Sequence, residues 1–172
     1  LSLLILSDFG IFTQNCFMKL NIGIAEEHAA EVCKILNVLL ADEFNLYART
    51  RNCHWNVTGP AFSVLHKFFE GQYDELAGLL DEVAERVRTL GGVAAGNLAA
   101  ITSSSRLAEA KDEPGAMKMV LSLLNDHETV IRAVRAEIGK VEDDYKDAGT
   151  ADFLTGVLKA HEKMAWMLRA HL

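Results

Sequence analysis

The sequence predicts one all-α domain, a four-helix bundle with a short extra helix in the long crossover between the second and third helices. Three observations carry this. Four segments repeat apolar residues three and four positions apart, the period of one helix face. The strong breakers, Gly59-Pro60, Gly91-Gly92 with Gly96, Pro114-Gly115 and the stretch from Gly139 to Gly149, fall between those segments. Finally, 172 residues that are 50% apolar and 24% charged, with two prolines, suit one domain with a sizeable core rather than a disordered chain.

The first helix is expected over roughly 25–53, with Val32, Leu36, Leu40, Phe44 and Tyr47 on one side and no Gly or Pro inside. The second follows Pro60, which suits a first turn because its missing N–H costs least there. Its stripe runs Phe62, Leu65, Phe69, Tyr73, Leu76, Leu80, Val83, Val87 and Leu90. Gly71 and Gly78 each weaken it by roughly 1 kcal/mol relative to Ala, which so long an apolar stripe outweighs. The third helix carries Met117, Val120, Leu124, His127, Ile131, Val134, Ile138 and Val141, and the fourth Phe153, Val157, His161, Met164 and Leu168. Packing four such stripes together makes the bundle the default architecture. The connection over 91–114 has a hydroxyl-rich centre at Thr102-Ser103-Ser104-Ser105, and a short helix is expected near Leu98 or Leu107.

Seventeen Lys and Arg against twenty-four Asp and Glu give a net charge of -7. That balance opposes a general electrostatic grip on nucleic acid or an anionic membrane and favours cations as partners. Cys16, Cys33 and Cys53 are widely spaced and form no CxxC, so neither a disulfide framework nor a zinc knuckle is indicated, and a reducing, cytoplasmic compartment fits. Residues 1–12 are apolar but lack a basic start, contain Asp8 and Gly10, and are too short to span a bilayer. A more natural beginning at Met18-Lys19-Leu20 makes 1–17 an expected extension or start-site artefact and 18–172 the domain.

Bundles that hold two irons in one chain's core use Glu-x-x-His on two helices. No Glu stands three before any of the six histidines here. The chain offers His54 at the end of the first helix, then His66 and Glu70, then Asp81 and Glu85, on the second. Each pair on the second helix is spaced i, i+4 and projects from one side. His66 and Asp81 are fifteen residues apart, about 22 Å along a helix, so the two pairs cannot serve one ion within one chain. Fifteen residues also turn the helix only about 60° past whole turns, so both pairs share a side. A two-fold axis near the helix middle would set His66 and Glu70 of one subunit against Asp81 and Glu85 of another, making two identical sites. His54 would join His66 through the reversal at Gly59-Pro60. Mixed imidazole and carboxylate ligands suit iron, zinc or manganese. Spacing alone leaves open a plain solvated helix face with an incidental histidine.

His127 and His161 fall inside the apolar stripes and are expected as buried, hydrogen-bonded core residues. Convergence with Glu43 or Glu128 would instead make an intrachain metal site. Cys33 and Cys53 are expected to pack as small apolar side chains. His28 and His171, near the ends, carry no signal.

The run His54-Trp55-Asn56-Val57-Thr58-Gly59-Pro60, then Leu65-His66, Glu70, Asp81, Ala84-Glu85-Arg86 and Leu90-Gly91-Gly92, resembles the Dps family of ferritin-like mini-ferritins, the DNA-binding proteins from starved cells. The likeness spans about 32–172 and includes Trp166-Met167. It implies a four-helix bundle with a short crossover helix, assembled as a hollow homododecamer with ferroxidase sites at two-fold interfaces. The implied ligands are His54, His66 and Glu70 from one subunit and Asp81 and Glu85 from its neighbour. Glu70 stands where many members have Asp. The implied reaction oxidises Fe(II), preferably with hydrogen peroxide, and stores ferric mineral in the shell, with no organic cofactor. A shell that binds metal without fast oxidation is the alternative.

Trp55 resembles the family's aromatic beside that centre, placed to intercept stray oxidising equivalents, with interface packing as the other reading. Asp143, Asp144, Asp147 and Asp152 lie near the region that lines three-fold pores in the family, Asp152 the better placed. An acidic ring there would concentrate Fe(II), and solvated loop carboxylates are the alternative. Some members condense DNA through basic tails. Here 1–24 carries only Asp8 and Lys19, and twelve subunits at -7 would give roughly -84, so DNA binding is expected weak or absent at neutral pH.

Overall fold

A computed structural model describes residues 21–107 and 115–172. They form α1 (Glu26–Asn56), α2 (Phe62–Thr89), α3 (Leu98–Ser104), α4 (Ala116–Asp143) and α5 (Ala148–Arg169). No strand occurs among the described residues. The fold is the all-α four-helix bundle with a short helix in the crossover. The proposed extension at 1–17 lies outside the described residues.

Local features set the boundaries, and these depart from expectation at Gly139 and Gly149. Pro60 sits in the turn just before α2, near its start as expected, where Gly59 at φ +102° reverses the chain and its carbonyl accepts from the Phe62 N–H at 3.0 Å. α5 begins five residues ahead of Phe153, since Asp147 caps it by accepting from the Thr150 N–H at 2.9 Å. Gly139 and Gly149 lie inside α4 and α5, and the break between these helices narrows to 144–147, where Lys146 takes φ +57°.

Two antiparallel hairpins, α1 with α2 and α4 with α5, join chiefly through α1 against α4. The predicted stripes meet between them. Leu36 of α1, Leu65, Phe69 and Leu76 of α2, and Met164 and Leu168 of α5 are sealed from solvent there, together with Leu39, Leu46, Leu123 and Leu154, which lie outside the predicted stripes. Each such side chain contributes roughly 1.5–3 kcal/mol by leaving water. Phe62 and Met117, at the starts of their stripes, project beyond this core and are exposed.

α1 also holds the crossover with polar side chains. The turn after α2 is a Schellman cap, with Gly91 at φ +79° and the Gly92 N–H donating to the Val87 carbonyl at 3.0 Å. Asn37 then donates to the Val93 carbonyl at 3.1 Å and accepts from the Ala95 N–H at 2.8 Å. Beyond α3, buried Asp42 accepts from the Arg106 N–H and Nε, both at 2.6 Å, and from the Ser105 hydroxyl at 3.0 Å. A buried carboxylate requires such partners, and these three fix where the crossover lies along α1.

Candidate metal centre

His54 lies in the last turn of α1, and the short reversal sets it against His66 in the second turn of α2. The two rings stack at 3.7 Å with planes 23° apart. Their hydrogen bonds are reciprocal: His54 Nδ1 donates to the His66 carbonyl at 2.8 Å, and His66 Nδ1 donates to the His54 carbonyl at 2.9 Å. A carbonyl only accepts, so each Nδ1 carries the hydrogen and each Nε2 keeps a lone pair. The His54 carbonyl is available because it is among the last four of its helix and has no partner within it. Fixing one ring nitrogen to a carbonyl is the usual way a protein orients an imidazole for metal binding through the other.

An aromatic and cationic cluster backs this pair. Tyr73 presents its edge to the His54 ring at 5.2 Å. The Arg51 guanidinium lies 4.5 Å from the Tyr73 ring centre, 5.5 Å from Trp55 and 5.6 Å from Tyr47, and donates to the Tyr47 hydroxyl at 2.7 Å. Trp55 itself is 64% exposed, so one face is open to a neighbour or to solvent. Arg51 and Tyr73 were not among the residues the sequence singled out for the site. Tyr47, Arg51 and Trp55, four apart, share one face of α1, but only the packing of α1 on α2 brings Tyr73 to them.

Glu70 follows one turn after His66 and pairs with Lys67 at 2.8 Å. The Lys67 ammonium holds the Glu70 carboxyl below its ordinary range, and His54 and His66 act in the same direction. This ion pair is largely exposed, so little holds Lys67 against a competing cation. Asp81 and Glu85 are exposed and have no ion-pair partner among the described residues. α2 is unbroken over its 28 residues, so the 22 Å between His66 and Asp81, about 1.5 Å per residue, is a rigid separation. Within one chain, no three His, Cys, Asp or Glu side chains among the described residues gather round one point.

The other candidates divide. Asp143, Asp144 and Asp152 are exposed. Asp147 is 2% exposed, and its carboxylate is committed to the Thr150 N–H and hydroxyl and to Arg86 at 3.2 Å. It therefore caps α5 and ties it to α2 instead of facing solvent. His127 and His161 are fully buried and hydrogen-bonded, and Glu43 joins them in a row rather than around a centre. Cys33 packs against Gly92, and burial pushes the Cys53 thiol up to about 11, so both behave as small apolar side chains.

The ferritin-like domain model matches residues 33–172. An uncharacterised low temperature-induced protein of Nostoc is 43% identical over 155 residues, covering 90% of this chain and 87% of that protein. The DNA protection during starvation protein of Brevibacillus brevis is 38% identical over 141 residues, covering 82% and 94%. Among solved structures, DpsC from Streptomyces coelicolor superposes with a TM-score of 0.87 at 29% identity, covering 91% of this chain and 92% of its own. A match across four-fifths of the sequence, with relatives above 30% identity and the same helical bundle, places this chain in the Dps family of ferritin-like proteins.

Proposed function

We propose that this chain is a ferroxidase subunit: it oxidises Fe(II), preferably with hydrogen peroxide, at sites shared by two subunits. Ferric mineral is then stored inside a hollow homododecamer. Family membership supports iron storage and protection in general, and the shared site is the finer reading. The observation that carries it is the reciprocal clamp of His54 and His66, which leaves two oriented Nε2 lone pairs one helical turn from the Glu70 carboxylate. Asp81 and Glu85, exposed and without ion-pair partners, would complete the set from a second copy across a two-fold axis.

Iron is the substrate here. Two ferrous ions each give one electron, and one peroxide takes both with two protons to become two waters, so no hydroxyl radical leaves the site. The neutral imidazoles and the carboxylates hold the ions close enough for that paired transfer. Lys67 releases Glu70 as cations bind. Trp55 and Tyr73, beside His54, are placed to absorb a stray oxidising equivalent. Exposed Asp143, Asp144 and Asp152 would draw Fe(II) toward the shell. The cytoplasm supplies the reducing surroundings this chemistry needs. No helix among the described residues is long and apolar enough to cross a membrane. A net charge of -7 per chain opposes attraction to phosphate, so DNA binding is weak or absent at neutral pH.

The test loads the protein with Fe(II) without oxygen, then adds peroxide or oxygen while ferric absorbance and hydroxyl radical are followed. Fast peroxide-driven oxidation with little radical, lost in His66→Ala, is expected. Oxidation no faster than in protein-free buffer would sink the reading and leave a metal-binding shell.

A further inference from the structure

The bundle centre contains a polar row that the metal centre does not use. Glu43 of α1, His161 of α5 and His127 of α4 are all fully buried. His161 Nε2 donates to Glu43 Oε1 at 2.7 Å, and the two Nδ1 atoms of His161 and His127 lie 3.0 Å apart. One arrangement of hydrogens satisfies both contacts. The Glu43 carboxylate accepts from His161 Nε2–H, so His161 Nδ1 is a lone pair and accepts from His127 Nδ1–H. Glu43 Oε2 and His127 Nε2, the two ends of the row, have no partner among the described residues.

Only one hydrogen fits between nitrogens 3.0 Å apart, so a further proton must land at an end. Both ends are sealed from water and partnerless, and a buried N–H or O–H without an acceptor is costly. At the carboxylate end a proton neutralises Glu43, whereas at His127 Nε2 it creates a buried cation with no acceptor for its new N–H.

We propose that the Glu43–His161–His127 row is an acid-operated latch: it fastens α1, α5 and α4 together while His127 is neutral, and protonation of His127 unfastens the bundle centre. Burial and the neighbouring His161 both push His127 well below its ordinary range, in keeping with that cost. Among the described residues, the carboxylates adjacent to the row in sequence are already paired, and Glu137, whose Oε2 is buried without a partner, stands ten residues further along α4, about 15 Å away. On α1, Asp42 is committed to Arg106, and Arg49 to Asp126 of α4. On α4, Glu128 pairs with Arg169 and Arg132, and on α5, Glu162 pairs with Arg135. The buried polar residue of α2 is Gln72, which is uncharged.

The sign follows from the unfolded chain, which takes the proton near pH 6.5 while the folded one resists it, so stability is lost as pH falls below that value. The experiment measures the folding equilibrium constant of the full chain by denaturant titration from pH 7.5 to 5, at fixed protein concentration. His127→Gln keeps an N–H for His161 and carries no titrating group, and His127→Phe keeps the ring volume. Below pH 6.5 the unmutated chain is expected to lose about tenfold more per pH unit than either variant, the share of one proton. The other histidines are common to all three proteins and cancel. Equal pH dependence in the unmutated chain and a folded variant would overturn the proposal. If neither variant folds, amide exchange in the unmutated chain decides: protection around Leu124–Val130 and Leu158–Met164, corrected for intrinsic rates, should drop between pH 7 and 5.5. Unchanged protection there would equally overturn it.

Discussion

Because α2 is a single rigid helix, the shared-site proposal makes a quantitative prediction about mixed assemblies. His66→Ala removes one imidazole ligand and leaves Asp81 and Glu85 intact, while Asp81→Ala spares His54, His66 and Glu70. Fifteen residues of unbroken helix hold the two halves about 22 Å apart, roughly ten metal–ligand bond lengths, so no chain completes its own site. Shells of either variant alone should therefore oxidise Fe(II) slowly. In shells assembled from equal amounts of both, a site is whole only where Asp81→Ala supplies the histidines and His66→Ala supplies the acids. Random assembly gives about one site in four, so about a quarter of the unmutated initial rate should return. The assay follows ferric absorbance after peroxide is added to Fe(II)-loaded protein, comparing co-assembled shells with variants assembled apart and then mixed. Co-assembled shells no faster than the separately assembled mixture would refute the two-subunit reasoning. Full activity in either variant alone would refute the ligand assignment.

Other outcomes follow from packing and ionisation. Gly92→Ala should destabilise by about 1–3 kcal/mol in thermal or denaturant unfolding, because the new Cβ would stand 2.6 Å from Cys33 Sγ and 3.0 Å from a Val87 methyl, inside the turn that starts the crossover. Gly139→Ala should stabilise by about 0.5–1 kcal/mol in the same measurement, since the position is an exposed helix interior with open space around it. Asp147→Ala should cost about 2–4 kcal/mol, losing the α5 cap and leaving Arg86 and Thr150 without their buried partner. In a Cys16→Ser background, Cys53 should react with a disulfide reagent at pH 7 about a hundredfold more slowly than an exposed thiol, because burial lifts its pKa to about 11. The rate should climb as pH rises toward that value, and rapid labelling at neutral pH would contradict the half-buried placement.

Much of the fold was legible because helix period and breakers are local signals. The stripe of α2 from Leu65 to Leu90 needs no partner to be read, and Gly91 announces its own end through the Schellman turn. The start of α5 is set by a cap, Asp147, while its apolar stripe begins only at Phe153, so the stripe alone does not mark it. Spacing on α2 likewise sets His66 and Glu70 apart from Asp81 and Glu85. The Arg51 and Tyr73 cluster was not legible in that way, since it depends on which faces of α1 and α2 meet.

By itself, then, the sequence determined an all-α bundle, the order of its helices, and two ligand pairs too far apart on one helix to share an ion. Those follow from period and rise per residue, which are properties of a single helix. Only the tertiary structure decided that His54 and His66 clamp each other's carbonyls, and that Asp147 is spent on a cap. It also decided that His161 finds Glu43 across 118 residues of chain. A side chain's inward direction is written in its own helix, whereas what it meets there depends on the register and rotation of other helices, which local periodicity does not encode.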